Sequence, residues 1–361
     1  MWTYEKPDNL VDWWQESEKK YRDTALFLMH NKQGGLYSIS YGDIGERIAR
    51  VRAGLAMLGV NKDDVVGIIS KNRPEWAILA FATFGRGARY VPMYEKELEK
   101  TWRYIIRDSG IKLLVVANRE IYEKVKALHH EMPTLDKIFI LDEEGEDSFS
   151  ALEKLGEKEP VEKIVPHPED VAVLIYTSGT TAEPKGVLLS HGNITYCAIT
   201  GIRLFPELGE GMVGLSMLPW AHSYAITAEL TSWIAFGGTL GFMRDVSTLA
   251  EDMLLIRPHF LVSVPRVFNK VYDTIQLRMN DEGGLKKKLF DAACLTARQK
   301  RELADQERSN ILLNLKFALL DKLVFSKIRA VVGGRIRGAM TGSAAMNKEI
   351  ASRRYKDVLR A

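Results

Sequence analysis

Between the apolar run DVAVLI and the segment VLLSHGN stands YTSGTTAEPKG, residues 176–186. Thr177, Ser178, Thr180 and Thr181 bring hydroxyls, Gly179 allows a tight turn, and Lys185 adds a mobile point charge. Those are the parts of a phosphate cradle. They do not make the loop of P-loop nucleoside triphosphatases, G-x-x-x-x-G-K-[ST], whose lysine opens a helix directly after a glycine. Here Pro184 precedes Lys185 and Gly186 follows it, which rules that nest out. A serine- and threonine-rich turn between two strands is the plain alternative reading of the loop taken alone.

Three further positions could take part in chemistry. His222, in PWAHSY just after the strand-like VGLSMLP, is either a packed imidazole or a site residue. The apolar residues around it, Trp220, Ala225, Ile226 and Trp233, suit either an acyl-binding wall or plain core. Near the end, AMTGSAAM reads as a strand-to-helix turn. Competing chemistries lack their motifs: GLSML at 214–218 misses the second glycine of a nucleophile elbow, and H-E-x-x-H does not occur.

The elements that must position these residues are legible in the periodicity. Strand-like runs VVGIIS (65–70), KLLVVA (112–117), KIFIL (137–141), VAVLIY (171–176), VGLSMLP (213–219) and HFLVSVP (259–265) alternate with helical patterns. That alternation predicts an α/β fold with mainly parallel sheets flanked by helices. SYGDIGERIARVRAGLAMLG (40–59) predicts an amphipathic helix opened by a Ser40/Asp43 capping pattern and closed by Gly59. NRPEWAILAFATFGRG and SHGNITYCAITGIRLF read the same way. Acidic, proline-bearing 142–170 is expected to be a surface crossing between two α/β subdomains, 1–170 and 171–361. From 266 to 327 long helices are expected.

With 361 residues, 46% apolar and 27% charged, the chain can bury a large core. A net charge of +3 from interleaved acids and bases calls for no nucleic-acid partner. Lys286–Lys288 and Arg298–Arg301 are expected to form a solvated helix face. Cys197 and Cys294 form no C-x-x-C pair, which suits a reducing, cytoplasmic compartment, and the N-terminus shows no signal-peptide pattern. ILLNLKFALLDKLVF (311–325) is too short and too charged to span a bilayer. A core helix is the expected reading there, and a membrane-surface helix is the alternative.

The eleven residues of the loop resemble the signature of adenylate-forming enzymes, the superfamily of acyl-CoA synthetases, luciferases and peptide-synthetase adenylation domains. The resemblance continues through ISYGDIGERIARVRAGLAMLGV, VVGIISKNRPEWAILAFATFGRGARYVPMY and LPWAHSY. FLVSVPRVFNKVYDTI and LLDKLVFSKIRAVVGGRIRGAMTGSAAM narrow it to the long-chain fatty-acid branch, with the likeness spanning roughly residues 8 to 351. It implies a fold like the large N-terminal domain of those enzymes.

The resemblance also implies a reaction. A long-chain fatty carboxylate attacks the α-phosphorus of ATP, pyrophosphate leaves, and coenzyme A then takes the acyl group from AMP. Thr177, Ser178, Gly179, Thr180, Thr181, Lys185 and Gly186 would hold the phosphates, with Thr177 on the Mg²⁺ side. Lys185 and His222 would serve catalysis, with Trp220, His222, Ala225 and Ile226 beside the acyl group. Thr341 and Gly342 match the adenine loop in kind, and Gly342, Ser343 and Ala344 would contact the nucleotide; Ser343 and Ala345 stand where relatives carry glycine and proline. Ala182 also replaces a usual glycine. The resemblance stops after Ala351. It thus implies a truncated large domain, without the magnesium-binding glutamate segment, the ribose-binding aspartate or the small C-terminal domain with its lysine. The alternative is a non-catalytic nucleotide- or acyl-binding fragment. Peripheral membrane contact and a complementing C-terminal fragment are the further candidate partners.

Overall fold

The computed structural model describes residues 7–177 and 183–344, with the side chains of 271–276, 278 and 331 left aside. Strands in chain order are β1 (Ala25–His30), β2 (Leu36–Ser40), β3 (Val65–Ile69), β4 (Arg89–Met93), β5 (Leu113–Val116) and β6 (Lys137–Ile140). They continue as β7 (Val171–Thr177), β8 (Lys185–Ser190), β9 (Val213–Ser216), β10 (Thr239–Phe242), β11 (Phe260–Ser263) and β12 (Gly338–Thr341). All six runs read as strands from the sequence are strands. Contacts divide the chain into two compact units, residues 1–27, 38–211 and 218–239 in the first and 28–37, 212–217 and 240–361 in the second. Residue 170, the expected subdomain boundary, falls inside the first unit.

In the first unit the sheet order is β6-β5-β3-β4-β7-β8, parallel except for the antiparallel pair β7 and β8. Every residue of β3 is buried, as a central parallel strand covered on both faces requires. The unit's helices are α1 (Leu10–Tyr21), α2 (Tyr41–Met57), α3 (Pro74–Phe84), α4 (Glu99–Ser109), α5 (Arg119–Ala127), α6 (Phe149–Gly156), α7 (His191–Arg203) and two short turns, α8 (Ser223–Ala225) and α9 (Ser232–Ala235). The Ser40/Asp43 capping box opens α2 as its sequence predicts. Proline begins α3, whose residues are buried apart from Glu75.

Segment 142–170 is more than a surface crossing. Its α6 buries Phe149, Leu152 and Gly156 and packs on α2. A Cβ on Gly156 would stand 1.8 Å from the Arg50 carbonyl oxygen, so only glycine permits this approach. Arg47 of α2 ties the layer together, reaching Glu153 at 2.7 Å and Glu75 at 3.1 Å. Burial alone would raise the Glu75 pKa, but Arg73 and Arg47 lower it overall.

The other sheet is ordered β12-β11-β9-β10-β1-β2, with β9, β11 and β12, all in the second unit, parallel. The helices of the second unit are α10 (Leu249–Ile256), α11 (Pro265–Glu282), α12 (Gly284–Asp305), α13 (Ile311–Leu320) and α14 (Ser326–Val331), so the expected change to long helix is present. Ion pairs Lys286–Glu282, Lys287–Asp291 and Arg298–Glu302 make a solvated, paired face of the basic stretches. The core-helix expectation for 311–325 needs correcting. In α13 only Phe317 and Leu320 are buried, while Ile311, Leu312, Leu315 and Leu319 face solvent. No described helix is long and apolar enough to cross a membrane.

His191 opens α7, is 1% exposed, and accepts a 3.3 Å hydrogen bond from the Leu10 amide. Its ring meets Phe84 edge-on at 5.4 Å. Burial pushes its pKa down to about 4. Above about pH 6.5 both folded and unfolded imidazoles are neutral; between 6.5 and 4 only the unfolded one gains a proton, so stability falls across that window. We expect this group to remove about 2 kcal/mol of unfolding free energy between pH 7 and pH 5. Urea titrations of the wild type and His191→Gln at both values check it, because the variant's profile should be flatter.

Candidate nucleotide and acyl site

Strands β3, β4, β5, β6 and β7 run parallel, so their C-terminal ends share one edge of the sheet. Open α/β sheets bind ligands along that edge. The signature stretch is a hairpin there: Thr177 pairs with Lys185, Tyr176 with Gly186, and Ile175 with Val187. Thr177, Lys185 and Gly186 are exposed at its mouth. Ser178, Gly179, Thr180, Thr181 and Ala182 lie outside the described residues.

What holds the mouth of the hairpin is Tyr176. A Cβ on Gly186 would come within 3.1 Å of the Tyr176 ring, so the glycine leaves room for a cross-strand aromatic. The tyrosine hydroxyl donates at 2.6 Å to Asp108 on α4, and its ring meets Tyr104 edge-on. Burial first, and then the Asp108 carboxylate, push the Tyr176 pKa well up, which keeps the phenol a donor. Beside this anchor a cleft of about 670 Å³ is lined by Lys100, Arg103, Arg107, Asp108, Glu183 and Pro184, among others. Sequence reasoning missed Tyr104, Asp108 and Tyr176, since nothing in their spacing joins α4 to the hairpin.

The segment 218–231 is positioned by two polar residues that sequence reasoning also missed, half-buried Asn72 and buried Glu229. Asn72, which follows β3, donates to the Leu218 carbonyl at 2.7 Å and accepts from the Trp220 amide at 2.8 Å. Glu229, 1% exposed, accepts from the Leu218 amide at 3.3 Å. A lone acid within the run ITAELTSWIAF was the available signal for Glu229. The helix widens to a π turn over Ile226–Thr231, where the Thr231 and Ser232 hydroxyls donate to carbonyls five residues back.

His222 is exposed at the N-terminus of α8, and its Nδ1 accepts from the Tyr224 amide at 3.2 Å. In the neutral ring the proton then sits on Nε2, leaving that nitrogen as a donor. The neighbouring apolar residues are packed inside: Trp220 meets Trp76 edge-on at 5.4 Å, and Ala225, Ile226 and Trp233 are no more than 2% exposed. All four are buried in this structure.

In the second unit β12 pairs with β11 through Ser263 and Thr341, and the Gly342 amide donates to the Ser263 carbonyl at 3.3 Å. Ser343 follows with φ of 64°, the left-handed conformation that favours glycine. Ser343 and Ala344 are exposed, while Ala345 lies outside the described residues. The chain thus leaves β12 and bends at Ser343 and Ala344, while the end of AMTGSAAM lies outside the described residues. The serine expected in place of a glycine thus sits in a left-handed conformation that favours glycine.

A parallel α/β sheet that carries a hydroxyl-and-lysine hairpin at its C-terminal edge has the architecture of the N-terminal domain of adenylate-forming enzymes. The adenylation domain of a carboxylate reductase from Mycobacterium chelonae shares the fold, with a TM-score of 0.73 over 98% of this chain and 56% of that one at 19% identity. The chain belongs to the AMP-binding enzyme family, whose model matches residues 13–360, past Ala351 where the likeness was expected to stop. It is 31% identical to long chain acyl-CoA synthetase 8 of Arabidopsis thaliana over 86% of this chain and 46% of the relative. It is likewise 31% identical to fatty acyl-CoA synthetase A of Dictyostelium discoideum, over 93% of this chain and 51% of that protein. The chain therefore spans about half the length of these relatives.

Two stability measurements follow from the geometry. Asn72→Ala leaves the Leu218 carbonyl and Trp220 amide without their partner and should lower the unfolding free energy by about 2 kcal/mol in urea. Ser343→Gly relieves a left-handed serine and should be neutral or stabilising, by up to about 1 kcal/mol.

Proposed function

We propose that this chain carries the phosphate-gripping and acyl-activating part of an AMP-forming long-chain fatty acid–CoA ligase. The observation that carries the reading is the 31% identity to a long chain acyl-CoA synthetase over most of the chain, together with the hairpin at the C-terminal edge of the parallel sheet. A fatty carboxylate oxygen would form a bond to the α-phosphorus of ATP as the bond to the bridging oxygen breaks and pyrophosphate leaves. Two anions must approach, so charge neutralisation and in-line holding dominate the problem.

Each residue has a role suited to its place. Lys185, exposed where the hairpin closes, supplies a positive charge for the β- and γ-phosphates, and the hydroxyls of Ser178, Thr180 and Thr181 would donate to phosphate oxygens. His222 offers its Nε2 proton to the oxygens of the reacting carboxylate and acyl phosphate. Gly342, Ser343 and Ala344 would border the adenine. The exposed Thr177 hydroxyl is the hard oxygen ligand that Mg²⁺ accepts, and this ion usually retains waters and phosphate oxygens as well. Among the described residues no group of three His, Cys, Asp or Glu is set to hold a metal, so the nucleotide itself would supply most ligands. When bound, the ion would neutralise phosphate charge. Coenzyme A is the acceptor that this reading assigns to the second half-reaction.

Fatty-acid-dependent exchange of labelled pyrophosphate into ATP by the purified chain tests the first half-reaction. Exchange should appear with long-chain acids, and Lys185→Met should raise the apparent KM for ATP at least tenfold. Binding of ATP without exchange at any acyl length would favour the nucleotide-binding alternative, and absence of both would remove the proposal.

A further inference from the structure

The chain enters β11 and β12 through two basic turns, IRPH (256–259) and GGRIR (333–337). Arg257 follows α10 in the left-handed conformation, φ 53°, and its Nε donates to the Gly333 carbonyl at 3.1 Å. In return the Arg335 Nε donates to the Arg257 carbonyl at 3.1 Å. Gly333 allows this approach, since a Cβ there would stand 2.5 Å from the Met253 carbonyl oxygen. Arg337 lies alongside: its amide donates to the His259 carbonyl at 2.7 Å, and its side chain is exposed. A terminal nitrogen of Arg335 lies 3.5 Å from His259 Nδ1, which accepts from the Val213 amide at 2.9 Å. Three guanidinium groups and an imidazole are thereby gathered at the N-terminal ends of two paired strands.

Among the described residues none of the three arginines forms an ion pair. The acids of the adjoining helices are already engaged: Arg244 holds Glu251 and Asp252 of α10 at 2.9 and 2.6 Å, and Arg329 holds Asp321, ahead of α14, at 2.7 Å. The C-terminal carbonyls of α10 and α14 offset about half an elementary charge each, so roughly two positive charges remain. Burial first, and then Arg257 and Arg337, push the Arg335 pKa down, as expected of like charges held together. Burial, and then Arg335 and Arg337, also push the His259 pKa down, so its ring is neutral and, with Nδ1 accepting, carries its proton on Nε2. The fold uses the Nε of Arg257 and of Arg335 and nothing of the Arg337 guanidinium, which leaves terminal N–H donors for an oxyanion. Two unbalanced charges carried on planar forks suit a tetrahedral dianion.

We propose that Arg257, Arg335 and Arg337 form a binding site for a phosphate dianion, carried by a soluble phosphate monoester or present as inorganic phosphate. The site is separate from the nucleotide reading, because Arg337 and Gly342 stand at opposite ends of β12, roughly 16 Å apart at about 3.3 Å per residue. Calorimetric titration of the 361-residue chain with inorganic phosphate and with ribose 5-phosphate, at constant ionic strength, tests it. Saturable binding tighter than about 1 mM is expected. Tighter binding of the sugar phosphate assigns the site to a monoester, and equal binding assigns it to the phosphate group alone. Arg337→Gln removes a guanidinium that the fold does not use, and should weaken binding about tenfold with an unchanged melting temperature. Arg335→Gln should weaken it at least as much, whereas Lys185→Met, altered at the hairpin, should bind like the wild type. Loss of binding in Lys185→Met with none in the arginine variants would place the anion at the hairpin and overturn the proposal. So would the absence of saturable binding to either probe, or wild-type affinity in Arg337→Gln.

Discussion

The candidate site depends on one cross-strand arrangement, the Tyr176 ring laid over Gly186 with its hydroxyl held by Asp108. Antiparallel pairing sets the register, with Thr177 opposite Lys185. Gly186, having no Cβ, leaves room for the ring, and the hydrogen bond fastens the hairpin to α4. A hydroxyl-rich loop without this anchor would be a solvent-facing turn. With it, Thr177 and Lys185 are held at the C-terminal edge of a five-stranded parallel array, where strand ends and their connections converge.

A second constraint of the same kind governs the His222 segment. Backbone between β9 and the π turn makes few ladder hydrogen bonds, so side chains must satisfy it. Asn72 does so with both ends of its amide, and Glu229 takes the remaining Leu218 amide. Buried polar groups of this sort stay costly unless paired, which makes them positioning devices as much as stabilising ones. The histidine they help to place is tethered through Nδ1 and keeps Nε2 as a donor.

The helical part of the second unit follows a different logic. Its hairpin completes a small core from Phe317, Leu320, Phe325, Ala293 and Ala297, and the remaining leucines of α13 are then surplus to packing. Mean hydropathy could not distinguish the two sets, because both occupy one short, strongly apolar segment. Only the partner helix decides which face is consumed.

Local chemistry was legible without coordinates. The six apolar runs became strands, Ser40 and Asp43 capped α2, and YTSGTTAEPKG announced its strand–loop–strand context, because strand periodicity, capping and turn preference act over a few residues. Long-range choices were not legible. That α6 lies in the acidic segment 142–170 and touches α2 through Gly156, that Asn72 grips a loop 146 positions away, and that α13 faces outward all depend on which surfaces meet. Residue order by itself determined the elements and the strand–loop–strand setting of the hydroxyl-rich stretch. Tertiary structure alone decided how these were anchored, because close approach, burial and hydrogen-bond satisfaction are properties of pairs of surfaces that one stretch of sequence does not contain.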